Sequence, residues 1–283
     1  MSAPQSATQK PAWAAPFDAM AARYDETFTW SKIGQGQRAA VWRELAKTFR
    51  PGDSTLEIGC GTGVDACFLA ERNIRVLASD PSSQMIDVTR RRIQQRGLQN
   101  LVRPLVLGAE EIGLLQPDEL FDGALSNFGA LNCVEDLTPV ARGLARLLKP
   151  GAMAVLCWMG PRCAWETIWY LAQGNRDKAF RRFQAKGTSA KLCDGAFVQV
   201  HYPSVQFLEQ AFAPDFKLIS VQGIGVAVPP SYLEPWAQRH PSLLNVFERV
   251  DLWLAGCPGF RSLGDHVLVR LQREPTRRGW IAQ

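Results

Sequence analysis

From Ser54 onward, short apolar runs alternate with stretches in which apolar residues recur every three or four positions. Continuous apolar runs predict buried strands, and the 3.6-residue spacing predicts helices. Ser54–Gly59 (STLEIG) reads as a buried strand that ends in glycine, and Asp65–Arg72 as the helix after it. Phe68 and Leu69 point inward there, and Asp65 sits in the first turn, where the helix dipole favours a carboxylate. Ile74–Asp80 is a second strand. Ser82–Arg96 is a helix with Met85, Ile86, Thr89 and Ile93 on one stripe and arginines at 90, 91, 92 and 96, ended by Gly97. Leu101–Leu107 and Leu120–Ser126 are strands three and four. Leu137–Leu148 is a helix stopped by a Lys149-Pro150-Gly151 turn, and Ala152–Trp158 is strand five.

The alternation then lapses. Residues 160–200 mix Trp165, Trp169, Tyr170, Phe180 and Phe183 with Arg176, Lys178, Arg181, Arg182 and Lys186, and read as one or two helices inserted between strands. Ser204–Phe212 is a helix, Phe216–Gly223 a sixth strand and Tyr232–Leu254 mostly helical. Asp265–Arg273 (DHVLVRLQR) alternates, which suggests an antiparallel strand at or near an edge. The pattern predicts an α/β, doubly wound, mostly parallel sheet with a helical insert or cap at about 160–200.

Residues 1–16 are rich in Ala, Pro, Gln, Ser and Thr and lack a long apolar stretch; a disordered tail before a single domain at 17–283 is expected. No run is long and apolar enough for a transmembrane helix. Seven cysteines without a C-x-x-C pair argue for reduced thiols in a cytoplasm and against a disulfide framework or zinc site. A net charge of +5 is far from the footprint of a dedicated nucleic-acid binder, so no nucleic-acid partner is expected.

The chemistry concentrates where strand one meets its helix: Glu57-Ile58-Gly59-Cys60-Gly61-Thr62-Gly63. Three glycines at alternate positions allow a tight bend and let a ligand lie against bare main chain. Asp80 ends strand two, 17 residues after Gly63, where a carboxylate can accept both hydroxyls of a ribose; it could equally cap the next helix. The dinucleotide pattern needs glycine where Val64 stands, and a P-loop needs an absent Gly-Lys-Ser/Thr. Glu57 and Asp80 would repel a diphosphate and suit a cationic group.

LEIGCGTGVDACFLA and VLASDPSSQMI, followed by FDGALSNFGALNCVED and LLKPGAMAVL, resemble in that order the motifs of the Rossmann-like (class I) S-adenosylmethionine-dependent methyltransferases. The resemblance runs from about Phe17 to Arg273 and implies a seven-stranded, mostly parallel sheet with an antiparallel last strand. It implies S-adenosyl-L-methionine as cofactor, with Gly59, Gly61 and Gly63 against its methionine part and Glu57 ordering the turn or the amino group. Asp80 would hold the ribose, and Pro81, Ser82 and Met85 would line the adenine pocket. The family's acidic residue after strand three is missing from Gly108-Ala109-Glu110, which leaves Ala109 backbone or Glu110 for the adenine. Asn127 would sit over the cofactor near the acceptor, and Tyr24-Asp25 resembles a pair that closes over it.

Methyl transfer is an in-line displacement, so proximity and exclusion of water dominate and no triad or metal is called for. His201 and Asn127 are the candidate catalytic residues; His201 is the histidine placed for proton removal, while His266 reads as structural. Ser126-Asn127-Phe128-Gly129 replaces the proline pair of the family's amino-methylating enzymes, which favours a small-molecule or lipid-like acceptor. The insert is expected to cover the acceptor site; its mixed aromatic and basic residues, 165–187, could also rest on a membrane surface, or form an amphipathic helix with its aromatic face in the core. Two other readings are a non-catalytic cofactor-binding or membrane-associated module and an NAD(P)-dependent oxidoreductase.

Overall fold

The computed structural model describes residues 15–184, 187–191 and 195–275. The expected tail lies outside these residues up to position 14, while Ala15 and Pro16 belong to a helix, α1 (Ala15–Met20). A π-helical turn over Asp25–Thr29 leads to α2 (Lys32–Thr48), whose cap Ser31 accepts a hydrogen bond from the Gly34 N–H. The chain then alternates β1 (Ser54–Ile58), α3 (Val64–Ala70), β2 (Arg75–Asp80), α4 (Ser83–Arg96), β3 (Val102–Val106), β4 (Phe121–Ser126), α5 (Thr138–Leu147) and β5 (Leu148–Trp158). Met85, Ile86, Thr89 and Ile93 are the buried stripe of α4, which Gly97 ends in the left-handed conformation, as the spacing predicts.

After β5 come α6 (Ala164–Ala172), α7 (Arg176–Ala179), a hairpin of β6 (Thr188–Lys191) and β7 (Phe197–Val200), then α8 (Val205–Phe212), β8 (Phe216–Ile224), α9 (Glu234–Arg239), α10 (Pro241–Leu254) and β9 (His266–Arg273). The main sheet has seven strands in the order β3-β2-β1-β4-β5-β9-β8. All neighbours are parallel except at β9, which is antiparallel to both β5 and β8. Helices cover both faces: Leu56, Ile58, Leu156 and Val269 pack toward α5 and α8, while Val76, Leu125, Val155 and Leu268 pack toward α2, α3 and α4. Two-sided burial explains why these strands read as unbroken apolar runs.

Three details differ from the sequence pattern. Lys149-Pro150-Gly151 is not a turn outside the sheet: Leu148 pairs with Phe121 and Met153 with Gly123, so these residues form an irregularity inside β5, with Gly151 at φ +82°. The insert is not purely helical. Its hairpin escaped notice because TSAK carries no apolar alternation and Phe197 faces solvent. Finally, β9 is antiparallel and near the edge, as the alternation predicts, but it is buried on both faces rather than one. Among the described residues no helix is long and apolar enough to cross a membrane.

The strand order reverses between β1 and β4. The helices following the two strands diverge to opposite faces at such a point, leaving a crevice beyond their carboxyl ends.

Candidate functional site

A cleft opens at that point, with about 600 Å³ of space among its lining atoms and the solvent at its mouth. Ile58, Gly59 and Gly61 form its base, Asp80, Pro81 and Met85 one side, and Asn127 to Ala130 the other. Ala109 and Cys133 complete the wall, and Phe17 and Tyr24 close it from the N-terminal segment.

The three glycines are all left-handed, with φ of +70°, +53° and +76° for Gly59, Gly61 and Gly63, yet they do different things. A Cβ on Gly59 would lie 2.1 Å from that of Ala130, and one on Gly63 would lie 2.6 Å from a Thr89 methyl. Those two allow close packing of the bend on the β4 loop and on α4. A Cβ on Gly61 meets nothing within 4 Å; its bare main chain faces the cleft. Asp80 fixes the bend: its Oδ2 accepts from the Gly61 N–H at 2.9 Å and its Oδ1 from the Ser82 N–H at 2.9 Å. Both carboxylate oxygens thus act as acceptors at the edge of the cleft.

The electrostatics select the kind of ligand. Glu57 is 1% exposed, its Oε2 has no hydrogen-bond partner, and burial, with the Asp65 charge second, pushes its carboxyl well above the usual carboxylate range. Glu110 also has a buried, unpartnered Oε2, and its charge bears on the Cys133 thiol in the cleft wall. Burial pushes that thiol up to about 12 and the Tyr24 phenol likewise to about 12, so both stay protonated near neutrality and Cys133 is no nucleophile. Two carboxyl oxygens without hydrogen-bond partners thus lie one residue away from the lining positions Ile58 and Ala109, and burial favours the protonated form of Glu57 unless a cation pairs with it.

Asn127 is positioned by Asp65, whose Oδ2 accepts from Asn127 Nδ2 at 2.8 Å, while Oδ1 accepts from Arg38 at 2.7 Å and from the Trp42 indole at 2.6 Å. The helix-dipole reading of Asp65 therefore understates it: the residue is 5% exposed and ties α2 and α3 to the end of β4. The N-terminal segment is strapped across the cleft by two aspartates. Asp25 accepts from the Thr62 hydroxyl at 2.7 Å and pairs with Arg92; Asp18 accepts from the Ser82 hydroxyl at 2.6 Å.

Of the residues singled out from the sequence, Tyr24, Gly59, Gly61, Asp80, Pro81, Met85, Ala109 and Asn127 line the cleft. Glu57, Gly63, Ser82 and Glu110 do not appear in its wall; Ser82 instead caps α4, accepting from the Met85 N–H at 3.1 Å. His201 is elsewhere. It lines a separate cavity with Arg182, Phe183, Tyr202 and Phe207, pinned through its backbone to Asn132. No described residue of 160–200 lines the cleft; Arg182 ties the insert to Asp265, donating to its carbonyl at 2.8 Å and its carboxylate at 2.7 Å. Sequence reasoning missed Phe128, a non-glycine residue at φ +48°, which costs free energy unless neighbours hold it. Arg38 lies 4.7 Å from its ring centroid, Phe28 at 5.0 Å and His266 at 5.3 Å. Nothing local in NFG announces that conformation. Phe17, Cys133 and Arg38 gave no signal either, being single residues brought in from distant elements.

Residues 55–151 match a family described as a methyltransferase domain. The chain is 33% identical over 145 residues to a demethylmenaquinone methyltransferase from Clavibacter sepedonicus, covering 50% of this chain and 56% of that protein. It is 31% identical over 146 residues to a 2-phytyl-1,4-naphtoquinone methyltransferase from Trichormus variabilis, covering 50% of this chain and 61% of that one. The chain thus spans less than two thirds of the length of these relatives. Among solved structures, the CcbJ methyltransferase from Streptomyces caelestis superposes with a TM-score of 0.59 at 16% identity, covering 92% of this chain and 98% of that one. The [4+2]-cyclase SpnF superposes at 0.55 with 18% identity, covering 83% and 80%, so the fold is shared by proteins of different named activity.

Proposed function

We propose that this chain, whose residues 55–151 match the methyltransferase-domain family, is a class I S-adenosylmethionine-dependent methyltransferase that binds its cofactor in the β1–β4 cleft and methylates a small, quinone-like aromatic acceptor. One observation carries the reading: two buried, unpartnered carboxyl oxygens, of Glu57 and Glu110, beside a glycine-lined cleft that Asp80 holds open. When bound, the cofactor supplies a methyl group already activated on a sulfonium.

The chain's own residues then hold, align and shield. Gly61 offers main chain to the methionine portion, and the ammonium would pair with Glu57 and draw its raised carboxyl back toward the charged form. Asp80 accepts from the ribose hydroxyls while keeping its two backbone bonds. Pro81, Met85 and Ala109 lie along the adenine, with Glu110 Oε2 as acceptor for its amine. Gly63 and Ser82 act one layer back, through packing on Thr89 and through the Asp18 strap. Phe17 and Tyr24 exclude water, and such alignment contributes ~7–11 kcal/mol of barrier lowering in well-oriented reactions.

Phe17, Tyr24 and Phe128 give the cleft an aromatic wall, which suits a planar, largely apolar ring. The relatives are named for naphthoquinone-type acceptors; this supports an acceptor of that class. His201 has no part in the reaction in this arrangement, since it faces another cavity. The test is transfer of radiolabelled methyl from S-adenosylmethionine to reduced naphthoquinones. Label extracted with the quinol is the expected result. Binding of the cofactor with no label in any quinol would remove the acceptor class, and no binding would remove the cofactor.

A further inference from the structure

We propose that the outward face of α10, continued by α6, docks this protein onto an anionic lipid surface. The inward face of α10 is already satisfied: Leu244 and Asp251 are buried, and Phe247 packs on Trp236 and Trp165. Yet Leu243, Val246, Val250 and Trp253 are 42%, 50%, 38% and 74% exposed. At the α-helical angular step these four fall within an arc of about 80°, forming a second apolar stripe that nothing in the described residues covers. A solvated helix normally carries polar residues there.

Beneath this stripe, the ring contact between Trp165 and Phe247 packs α6 against the inward face of α10. Ile168, Trp169 and Leu171 of α6 are 66%, 39% and 43% exposed, while its one charged residue, Glu166, is buried against Arg181 and Arg182. Of the aromatic residues expected to face a membrane, Trp165 turns inward, donating to the Ala227 carbonyl at 2.8 Å; Trp169 does not.

Charge decides the occupant. Over residues 239–261 the exposed charged side chains are Arg239, Arg249 and Arg261, whereas Glu248 is half-buried and Asp251 buried. Arg249 lies between Val246 and Trp253 on the helix surface. Arg176, Asp177 and Lys178 are exposed just beyond α6 and add a net positive charge. A two-fold pairing of two copies would bring these cations against their own mates, but anionic headgroups complement them. Tryptophan and aliphatic residues bordered by arginine and lysine suit the interface between headgroups and acyl chains.

The experiment is flotation of the full chain with vesicles of equal parts phosphatidylglycerol and phosphatidylcholine, against phosphatidylcholine alone. The protein should float with the anionic vesicles. Val246→Asp with Val250→Asp should lower binding at least about tenfold, and Arg249→Gln about fivefold, whereas Leu120→Asp, at an exposed leucine before β4, should leave it unchanged. All these positions are exposed, so unchanged thermal melting verifies folding. Absent flotation, equal flotation of the double variant, or a wild-type dimer that the double variant dissociates in sedimentation would each overturn the proposal. Vesicle binding is read without any methyl acceptor, so its failure leaves the proposed methyl transfer standing.

Discussion

The half of the molecule around β1 to β4 and the half from α6 to the start of β9 are held by different means. The first is a sheet whose strands neighbour one another soon after they appear in sequence, with helices packed on two faces. The second is short helices and a hairpin gathered around one buried cation: Arg182 reaches Glu166 at 3.0 Å and Asp265 at 2.7 Å, 83 residues away. Local pattern specifies the first; a few long-range ionic contacts specify the second. The first presents the cleft, and the second presents exposed apolar surface.

Arg182→Met should break the comparison most severely. It leaves Glu166 with Arg181 alone and strips Asp265 of its cation deep in the protein; breaking such a pair costs ~3–5 kcal/mol. A drop on the order of ten degrees in melting temperature follows for a chain of this size. Affinity for S-adenosylmethionine, measured on the folded variant in the cold, should stay within about twofold, because no described insert residue lines the cleft.

Asp80→Ala is the converse. Loss of charged hydrogen bonds to the ribose should weaken cofactor binding about 10- to 100-fold by calorimetry, with a smaller effect on melting than Arg182→Met. Unchanged affinity would leave Asp80 with the capping role alone.

Acid–base behaviour separates the Glu166–Asp265 cluster from Glu57 by sign. Burial is outweighed at both carboxyls: Glu166 is held below its usual value by Arg181 and Arg182, and Asp265 by His266 and Arg182. Their stabilisation is therefore present above the unfolded carboxyl range and lost as pH falls through the lowered folded values. Glu57 is raised by burial; the folded state binds its proton more tightly, so this group's contribution worsens as pH rises above the unfolded value. Glu57→Gln should accordingly gain stability relative to wild type as pH increases from about 4.5, read from urea midpoints, while losing cofactor affinity. A difference independent of pH would refute the assignment.

The same contrast marks what was legible in the sequence. The glycine bend, Asp80 and the α4 stripe were readable because each is a local pattern with a mechanism. Phe128 and Phe17 were not, since a left-handed phenylalanine and a strap from the N-terminal segment are products of tertiary packing. His201 looked well placed at a junction, but its backbone bonds to Asn132 turn it toward another cavity. The β6–β7 hairpin has too little apolar alternation to be seen in advance.

The central claim is that the bare main chain at Gly61 and the acid at Asp80 hold an adenosyl sulfonium. Calorimetric titration of S-adenosylmethionine into wild type and Gly61→Leu tests it most directly. The substitution meets no neighbouring atom at Cβ and costs about 1–2 kcal/mol of backbone strain, so the variant should fold. Saturable binding by wild type and none by the folded variant is the predicted result; equal binding by both, or none by wild type, would contradict it.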